Sequence, residues 1–336
     1  MSSDEKRILT GDRPTGKLHL GHYVGSLQNR IDLQDEYDTF IIIADVQALT
    51  TNFDNPSKIR KDVKQVALDY LAAGIDPDKA TIFVQSLVPE IAELTIFYSM
   101  LVTMNQLERN PTIKAEADQY DYKDMTYGFI GYPVSQAADI TFCRANLVPV
   151  GEDQLPHIEQ TRKIVRKFNN LYGEVFPVPE PKISDFPRLM GLDGKAKMSK
   201  SLNNAIFLAD SEEEVKSKVM TAVTDPGRIR ATDPGNPDIC TVFHYHDAFN
   251  TEEVDEVETN CRQGTIGCVD CKGKLAKKIN KFLDPMRERR EKYLDKPELI
   301  REILLSGTEK AKSEGEETMK KVREVMKIDY FKGKSI

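Results

Sequence analysis

Short apolar runs alternate with segments of helical periodicity through the first half of the chain. The runs "RILTG", "TFIIIAD", "ATIFVQS" and "LVPVG" are rich in β-branched residues, which is typical of strands buried in a parallel sheet. Amphipathic segments lie between them. The longest, "SKIRKDVKQVALDYLAAG", follows Pro56 and is closed by Gly74, a residue that often ends helices. The alternation predicts an α/β fold, a doubly wound parallel sheet with helices on both faces.

The pattern changes in the second half. A proline-rich stretch, "VFPVPEPKISDFP", interrupts the alternation, and after "KAKMSKS" the sequence becomes helical and charged almost to the end. A chain of 336 residues also suggests more than one domain. We therefore predict two domains, residues 1–204 and 205–336. The second is helical, and the last helices, after Lys296, are free to pack on either domain.

Composition narrows the class of protein. The chain is 40% hydrophobic and 30% charged, as in soluble globular proteins. Its start, "MSSDEKRILTG", lacks the apolar run of a secretory signal, and no stretch approaches the ~20 apolar residues of a membrane span. These features predict a cytoplasmic protein that does not enter membranes.

Charge is unevenly distributed. The net charge is −7, but residues 262–292 carry ten basic and four acidic side chains. Such a basic segment suits a phosphate-rich partner. The alternative is a solvated helix face held together by ion pairs.

Two histidines, His19 and His22, are spaced by a glycine in "GDRPTGKLHLGHYVGSL", directly after the first predicted strand. A strand, a glycine-rich turn and a helix form the place where α/β sheets bind phosphates. Gly21 would let a nucleotide approach the backbone, while the histidines donate hydrogen bonds to developing phosphate charge. Zinc is weakly indicated because a third ligand is lacking. Taken alone, the pair is equally consistent with two surface histidines that have no function.

A second motif, "KAKMSKS" at positions 195–201, carries three lysines in a loop of small residues. Lysines on such a loop can close over a pyrophosphate and stabilise its charge. The HxGH and KMSKS pair resembles the signature of class I aminoacyl-tRNA synthetases, with Leu20 in place of the commoner isoleucine. The resemblance implies a Rossmann-type catalytic domain followed by a helical anticodon-binding domain.

Within class I, the chain resembles the tryptophanyl enzymes from about Leu9 to its last helix. The stretches "GYPVSQAADI", "LVPVGEDQLPHIEQTR" and "AVTDP" carry this resemblance. Tyrosyl enzymes would show "GGSDQ" where this chain has "GEDQ". The resemblance implies ATP-dependent activation of L-tryptophan and its transfer to tRNA(Trp). Alternatives are a tyrosyl-tRNA synthetase, an HxGH nucleotidyltransferase that uses no tRNA, and a non-catalytic paralogue that senses tryptophan or uncharged tRNA.

Asp139 is the candidate for recognition of tryptophan. The indole N–H can only donate a hydrogen bond, so it requires a buried acceptor. Asp139 occupies the matching position of the family motif, beside alanines. The alternative is an acid on a solvated helix face. The resemblance further implies ring contacts from Leu9, Val148 and Val150, and contacts to the ammonium and carboxylate from Tyr132, Gln136 and Gln154. Many bacterial relatives have Met at the position of Gln136 and Phe at that of Leu9.

The resemblance also implies the residues that bind Mg-ATP. They are Arg13, Pro14, Thr15, Gly21, His22, Gly151, Glu152, Asp153, Leu189, Met190, Lys197, Met198, Ser199, Lys200 and Ser201. The catalytic side chains would be those of His19, His22, Lys197, Lys200 and Lys114. The tryptophan carboxylate would attack the α-phosphate in line, so that no protein nucleophile is needed. The family is expected to form a homodimer through the catalytic domains.

Four of the five cysteines lie in the second half. Cys240, Cys261, Cys268 and Cys271 are spaced C-x20-C-x6-C-x2-C, whereas Cys143 lies in an apolar helix and is expected in the core. In a cytoplasmic protein this spacing favours a metal site over disulfides, and four thiolates suit either zinc or a [4Fe–4S] cluster. The resemblance extends to tryptophanyl enzymes with such a cluster in the anticodon-binding domain. It implies a structural [4Fe–4S] cluster, with Zn2+ as the alternative.

Overall fold

The computed structural model describes residues 6–119, 125–151, 154–183, 189–200 and 202–330. Within these residues a parallel sheet of five strands has the order β3-β2-β1-β4-β5. The strands are β1 (Arg7–Asp12), β2 (Asp38–Ile43), β3 (Ala80–Val84), β4 (Leu147–Val150) and β5 (Glu180–Ile183). The chain thus leaves the central strand β1 in one direction and returns to its other side with β4. The predicted doubly wound fold is confirmed.

Helices surround this sheet on both faces. In the described residues they are α1 (Leu20–His22), α2 (Gln28–Leu33), α3 (Asp45–Leu49), α4 (Pro56–Ala73), α5 (Pro89–Ser99), α6 (Met104–Glu108), α7 (Pro111–Gln119), α8 (Tyr127–Thr141), α9 (Leu155–Tyr172), α10 (Glu212–Thr221), α11 (Thr241–Phe249), α12 (Val254–Gln263), α13 (Cys268–Leu294) and α14 (Pro297–Val325). A π-helical turn, Tyr23–Leu27, joins α1 to α2. The second half of the chain is helical, as the composition indicates.

The strands separate two apolar clusters. Successive side chains of a strand point to opposite faces, so Ile41 and Ile43 of β2 join α4 and α13 on one face. Phe40 and Ile42 join α5, α8 and α9 on the other. This arrangement explains why the β2 sequence is continuously apolar, since both of its faces are buried.

The fifth strand, β5, lies inside the proline-rich stretch in which no strand was predicted. It pairs with β4 at the edge of the sheet, where Val148 lies opposite Pro181. Proline cannot donate a backbone hydrogen bond, but an edge strand needs its donors on one side only. Pro181, which argues against a strand in the sequence, is therefore tolerated in this edge strand.

The last two helices pack against the sheet half of the molecule. α13 lies along α4, while α14 lies against the edge strand β3. There the backbone N–H of Val84 donates to the Thr308 hydroxyl at 3.3 Å. The segment after residue 204 also lies against the start of α1, where the N–H of Leu20 donates to the Ile206 carbonyl at 2.9 Å. The boundary at residue 204 stays a prediction.

None of the described helices is both long enough and apolar enough to cross a membrane.

Candidate active site

The turn that carries both histidines begins where β1 ends. His19 precedes α1 with an extended backbone, and its N–H donates to Nδ1 of His22 at 3.2 Å. The two rings lie 3.8 Å apart between centroids. Because Nδ1 of His22 accepts a hydrogen bond, its remaining proton is placed on Nε2, from which it can donate to a bound phosphate. The turn thus presents a neutral donor at the carboxyl end of a central strand.

Burial keeps both histidines neutral. It lowers the pKa of His19 to about 2, assisted by the neighbouring His22 and Lys200. Burial also lowers the pKa of His22 to about 4, although the nearby Asp12 carboxylate opposes the shift. Asp12 itself is held ionised by Arg30, whose Nη1 lies 2.6 Å from its Oδ2. At neutral pH the histidines can therefore donate hydrogen bonds without acting as acids or carrying charge.

The KMSKS loop meets this turn directly. The N–H of Gly21 points at Sδ of Met198 at 3.3 Å, and a Cβ on Gly21 would lie 3.0 Å from the His19 ring and 3.3 Å from Cβ of Met198. Nζ of Lys200 donates to the Gly16 carbonyl at 2.8 Å. The two motifs, separated by about 180 residues in the sequence, are thus in contact, and the glycine between the histidines makes that contact possible.

A short hairpin holds the loop. Met190 and Lys197 form an antiparallel bridge, and the N–H of Ser199 donates to Oδ1 of Asn204 at 2.8 Å. The Met190 carbonyl accepts from the Tyr245 hydroxyl at 2.6 Å, while Leu189 is buried in the apolar cluster of α4 and α13. The two lysines of the loop differ in exposure to solvent: Lys197 is exposed, whereas Lys200 is half-buried.

The remaining residues predicted for ATP are spread around the turn. Pro14 is buried and Thr15 half-buried, with Oγ1 of Thr15 3.5 Å from Nζ of Lys200. Nη2 of Arg13 forms an ion pair with Oε1 of Glu116 on α7 at 2.9 Å. Lys114 lies exposed on the same helix. Gly151 follows β4 and accepts from the N–H of Gln154, whereas Glu152, Asp153 and Ser201 lie outside the described residues.

The opposite face of the sheet holds the residues predicted for tryptophan. Leu9, Tyr132 and Val148 belong to one apolar cluster, and Val150 packs against it. The Tyr132 hydroxyl lies 3.1 Å from Nε2 of His157. Gln136 is half-buried on α8, and Gln154 is half-buried directly before α9. The residues predicted for ring contacts are therefore brought together, and the contacts predicted for the ammonium and carboxylate stay predictions.

Asp139 is 4% exposed and is held by two glutamines that the sequence analysis missed. Its Oδ1 accepts from Nε2 of Gln85 at 2.7 Å, and its Oδ2 accepts from Nε2 of Gln47 at 3.2 Å. Burial raises the pKa of Asp139 to about 7, against the lowering effect of the two amides. The positions of these glutamines in the sequence could have indicated them. Gln85 directly follows β3 and Gln47 lies shortly after β2, at the sheet edge where ligands bind.

Comparison with known proteins identifies the family. The model of class I tRNA synthetases for tryptophan and tyrosine matches residues 1–284. The tryptophan–tRNA ligase of Clostridium longisporum is 54% identical, with 96% of this chain and 97% of that protein covered. The chain belongs to the tryptophanyl-tRNA synthetases. The ligase of Lactococcus lactis is 49% identical and covers 97% of the chain and 98% of its own length.

The fold agrees with solved synthetases. The crystal structure of the Campylobacter jejuni tryptophanyl-tRNA synthetase, complexed with ADP and tryptophan, superposes with a TM-score of 0.85 at 33% identity. It covers 96% of this chain and 99% of its own. The predicted enzyme class is thereby confirmed, while the roles of individual residues stay predictions.

The four cysteines of this synthetase lie around the start of α13. Cys268 and Cys271 are in its first turn, Cys261 is near the end of α12, and Cys240 precedes α11. Nη1 of Arg228 lies 3.8 Å from the sulfurs of both Cys261 and Cys268, and burial, with a smaller effect of the other thiols, raises the pKa of Cys271 to about 12. Yet no three metal-binding side chains among the described residues lie close enough to hold a single ion. The thiols are grouped, but not in the tight geometry of one bound ion.

The basic segment of the synthetase is largely occupied by internal contacts. Arg287, Arg289 and Arg290 bind the Asp210 carbonyl, the Ala72 carbonyl and the Asp69 carboxylate respectively. Lys274 and Lys278 pair with glutamates next to or on α12. Within the described residues only Lys277, Lys281 and Lys292 of α13 lie exposed with no such partner. Much of the positive charge therefore holds the helices together, as in the alternative interpretation of the sequence.

Proposed function

We propose that this synthetase activates L-tryptophan with Mg-ATP to tryptophanyl-adenylate and transfers the tryptophanyl group to tRNA(Trp). The contact between the HLGH turn and the KMSKS loop carries the proposal. His19 and His22, both neutral, lie in the turn that follows β1, and Lys200 donates to the Gly16 carbonyl of the same turn. A nucleotide triphosphate bound there would meet hydrogen-bond donors and positive charge, which phosphoryl transfer requires.

In the proposed reaction an oxygen of the tryptophan carboxylate attacks the α-phosphorus, and the bond to the bridging oxygen of pyrophosphate breaks. Charge moves to the departing pyrophosphate, where His19, His22, Lys197 and Lys200 stabilise it, with Lys114 as a further phosphate ligand. Mg2+ enters with ATP as part of the substrate. Asp139 accepts the indole N–H between the walls formed by Leu9, Val148 and Val150. Positioning and charge stabilisation account for the rate, since the protein forms no covalent bond.

Amino-acid-dependent exchange of labelled pyrophosphate into ATP tests the proposed activation. We expect exchange with tryptophan and not with tyrosine or the other amino acids. Lys200→Ala should abolish exchange while tryptophan binding is retained, because Lys200 lies against the HLGH loop and away from the α8 cluster. Lys195→Ala, in the same loop but exposed, is the matched control. Exchange with tyrosine, or unchanged exchange in Lys200→Ala, would contradict the respective assignments.

The assignment of tRNA recognition rests on the helical half. We propose that residues 205–336 form the anticodon-binding domain of a cytoplasmic enzyme, although α14 returns to the edge strand β3. The exposed lysines Lys277, Lys281 and Lys292 are the candidates for phosphate contact. Their replacement by alanine should weaken aminoacylation of tRNA(Trp) and reduce its salt dependence, and should leave pyrophosphate exchange unchanged.

A homodimer is supported by exposed apolar side chains on neighbouring helices of the catalytic half. Ile96 of α5, Met100, Met104 of α6 and Tyr127 of α8 are all exposed, and such patches mark interfaces. We propose that they form the dimer contact. Sedimentation should find a dimer in the parent protein, and Ile96→Glu with Met100→Glu should yield a monomer. A monomeric parent would exclude the dimer.

We further propose that the four cysteines hold a structural [4Fe–4S] cluster. The spacing of the four cysteines in the sequence supports this proposal. So does Arg228, whose Nη1 lies 3.8 Å from the sulfurs of both Cys261 and Cys268 and so brings these two thiols to one place. Protein purified without oxygen should be brown and contain equal amounts of iron and inorganic sulfide. Colourless protein with one zinc would favour the alternative.

A further inference from the structure

The carboxylate of Asp139 is oriented from two sides by amides of different elements. Gln85 directly follows β3, and Gln47 lies on α3 just after β2. Both glutamines are buried, with 3% and 6% of their surface exposed. Each donates one hydrogen bond to a different oxygen of Asp139. The carboxylate is thus bound to the ends of two neighbouring strands, although it is itself on α8.

The network also fixes which atom of Gln85 faces the carboxylate. Oε1 of Gln85 accepts from the backbone N–H of Gln47 at 3.1 Å. An amide has one oxygen and one nitrogen, so this bond directs Nε2 toward Asp139. Nε2 of Gln47 is in turn 3.4 Å from the Tyr132 carbonyl. Neither amide can turn its oxygen toward Asp139 without losing these partners.

This arrangement leaves acceptor capacity on Asp139. Two carboxylate oxygens offer about four lone-pair sites, and the two amides use one on each oxygen. Both amide donors are directed at Asp139, so an N–H that enters the apolar cluster of Leu9, Tyr132 and Val148 finds an oriented acceptor. A ring that lacks the N–H would leave that acceptor unpaired, which is costly in a buried site.

We propose that Gln47 and Gln85 are positioning residues that hold the Asp139 carboxylate as an acceptor for the substrate N–H and so determine discrimination between indole and rings that lack this group. The inference rests on the proposed activation of tryptophan. The two glutamines do not themselves contact the substrate in this proposal. They determine the orientation and the ionisation of the Asp139 carboxylate.

The experiment compares tryptophan with its benzothienyl analogue, in which sulfur replaces the N–H, in pyrophosphate exchange. The readout is the ratio of the two kcat/KM values. Gln85→Met and Gln47→Met keep the approximate side-chain volume and remove the donor. Each should lower the ratio at least tenfold, through KM for tryptophan, with little change for the analogue. Gln263→Met, at an exposed position on α12, is the control for replacing a glutamine by methionine elsewhere in the protein.

A pH profile separates positioning from simple loss of structure. The two amides lower the pKa of Asp139 against the effect of burial, so each variant should move the inflection of KM for tryptophan to higher pH. Variants with the parental ratio and inflection would overturn the proposal. Because Gln47 and Gln85 lie on different elements, failure of one variant to fold leaves the other as the test.

Asp139→Leu, which has a similar volume and no acceptor, distinguishes this inference from the proposed function. If Asp139→Leu loses discrimination and both glutamine variants retain it, Asp139 recognises indole and the positioning role is wrong. If Asp139→Leu also retains discrimination, the indole contact itself is wrong and the positioning role is wrong with it. If the parent shows no exchange with tryptophan, the proposed activation fails first.

Discussion

At the scale of single residues, the two histidines show how a motif acquires its chemistry from its surroundings. His19 is buried beneath the KMSKS loop, and the Nδ1 of His22 is bonded to the backbone of His19. Both are neutral in the folded protein because burial disfavours their charged forms. In the unfolded chain they have the ordinary histidine pKa of about 6.5. This difference in histidine pKa between the folded and unfolded states makes the free energy of unfolding depend on pH.

The sign of this effect follows from proton binding. A histidine whose folded pKa is lowered binds fewer protons when folded, so stability falls as pH falls below about 6.5. For His22, with a folded pKa of about 4, the loss between pH 7 and pH 5 is about 2 kcal/mol. His22→Gln should remove that part of the pH dependence in urea unfolding at the two pH values. His244→Gln, at an exposed position, is the control. Equal pH dependence in parent and His22→Gln would contradict the assignment.

The sequence indicates these residues but not their neighbours. HLGH and KMSKS are local strings, so their residues are found without a structure. Gln47 and Gln85 are single polar residues in different segments, and only the parallel pairing of β2 with β3 brings them to Asp139. A site residue can be predicted from the sequence when it belongs to a motif within one segment. It cannot be predicted in this way when the residues of a site come from several segments that only the folded sheet brings together.

At the scale of elements, α14 covers an edge that would otherwise be exposed. β3 is the last strand of the sheet on its side, and free edges favour aggregation. α14 approaches it so closely that a Cβ on Gly307 would lie 2.0 Å from the Ile82 carbonyl oxygen. Glycine weakens a helix interior, but at this position it permits the contact between helix and strand.

Substitution of this glycine tests the packing of α14. Gly307→Ala forces the helix away from a backbone atom that cannot move alone, and should lower the free energy of unfolding by about 1–3 kcal/mol. Gly273→Ala is the matched control, because it lies inside α13 and a Cβ there meets nothing within 4 Å. We expect the control to stabilise the protein by about 0.5–1 kcal/mol. Urea unfolding measures both changes, and destabilisation of equal size in the two variants would exclude a specific contact at Gly307.

The elements themselves were predictable to different degrees. β1 to β4 and the long helix α4 follow from apolar runs and periodicity, because burial on two faces or one face leaves a pattern in the sequence. β5 does not, because an edge strand that contains Pro181 has neither continuous apolar character nor a full set of donors. Its presence is determined by the partner strand β4.

At the scale of the whole molecule, α13 connects the cysteine region with the HLGH turn. Its first turn holds Cys268 and Cys271, and its last part holds Arg287 and Arg290. Arg290 forms an ion pair with Asp69, and the same carboxylate accepts from the N–H of Leu18 at 2.7 Å. One buried acid thus joins the second half of the chain to the loop that precedes His19.

Arg287 provides a second connection between α13 and the HLGH turn. Its Nε donates to the Asp210 carbonyl at 2.9 Å, and Oδ2 of Asp210 accepts from the N–H of Phe207 at 2.8 Å. Phe207 forms a β-bridge with His19. α13 therefore holds the HLGH turn through two routes. The basic segment, which the sequence analysis interprets as suited to phosphate binding, thus serves in part to hold the HLGH turn.

Removal of Arg290 should reveal how much the turn depends on α13. In Arg290→Met the buried Asp69 carboxylate loses its ion-pair partner, which costs about 3–5 kcal/mol in comparable ion pairs. The double variant Asp69→Asn with Arg290→Met removes the charge and keeps an oxygen for the N–H of Leu18, so it should recover most of the stability. Lys292→Met, two residues farther along α13 and exposed, is the control for the loss of positive charge.

Pyrophosphate exchange then separates stability from catalysis. If α13 positions the HLGH turn, Arg290→Met should lower kcat for exchange with little change in the affinity for tryptophan, because the residues predicted to contact the tryptophan ring lie on the other face of the sheet. The double variant should regain kcat together with stability, since the Leu18 contact is restored. Recovery of stability without kcat would show that Arg290 contributes charge to the reaction itself. An Arg290→Met enzyme as stable and active as Lys292→Met would show that α13 does not support the turn.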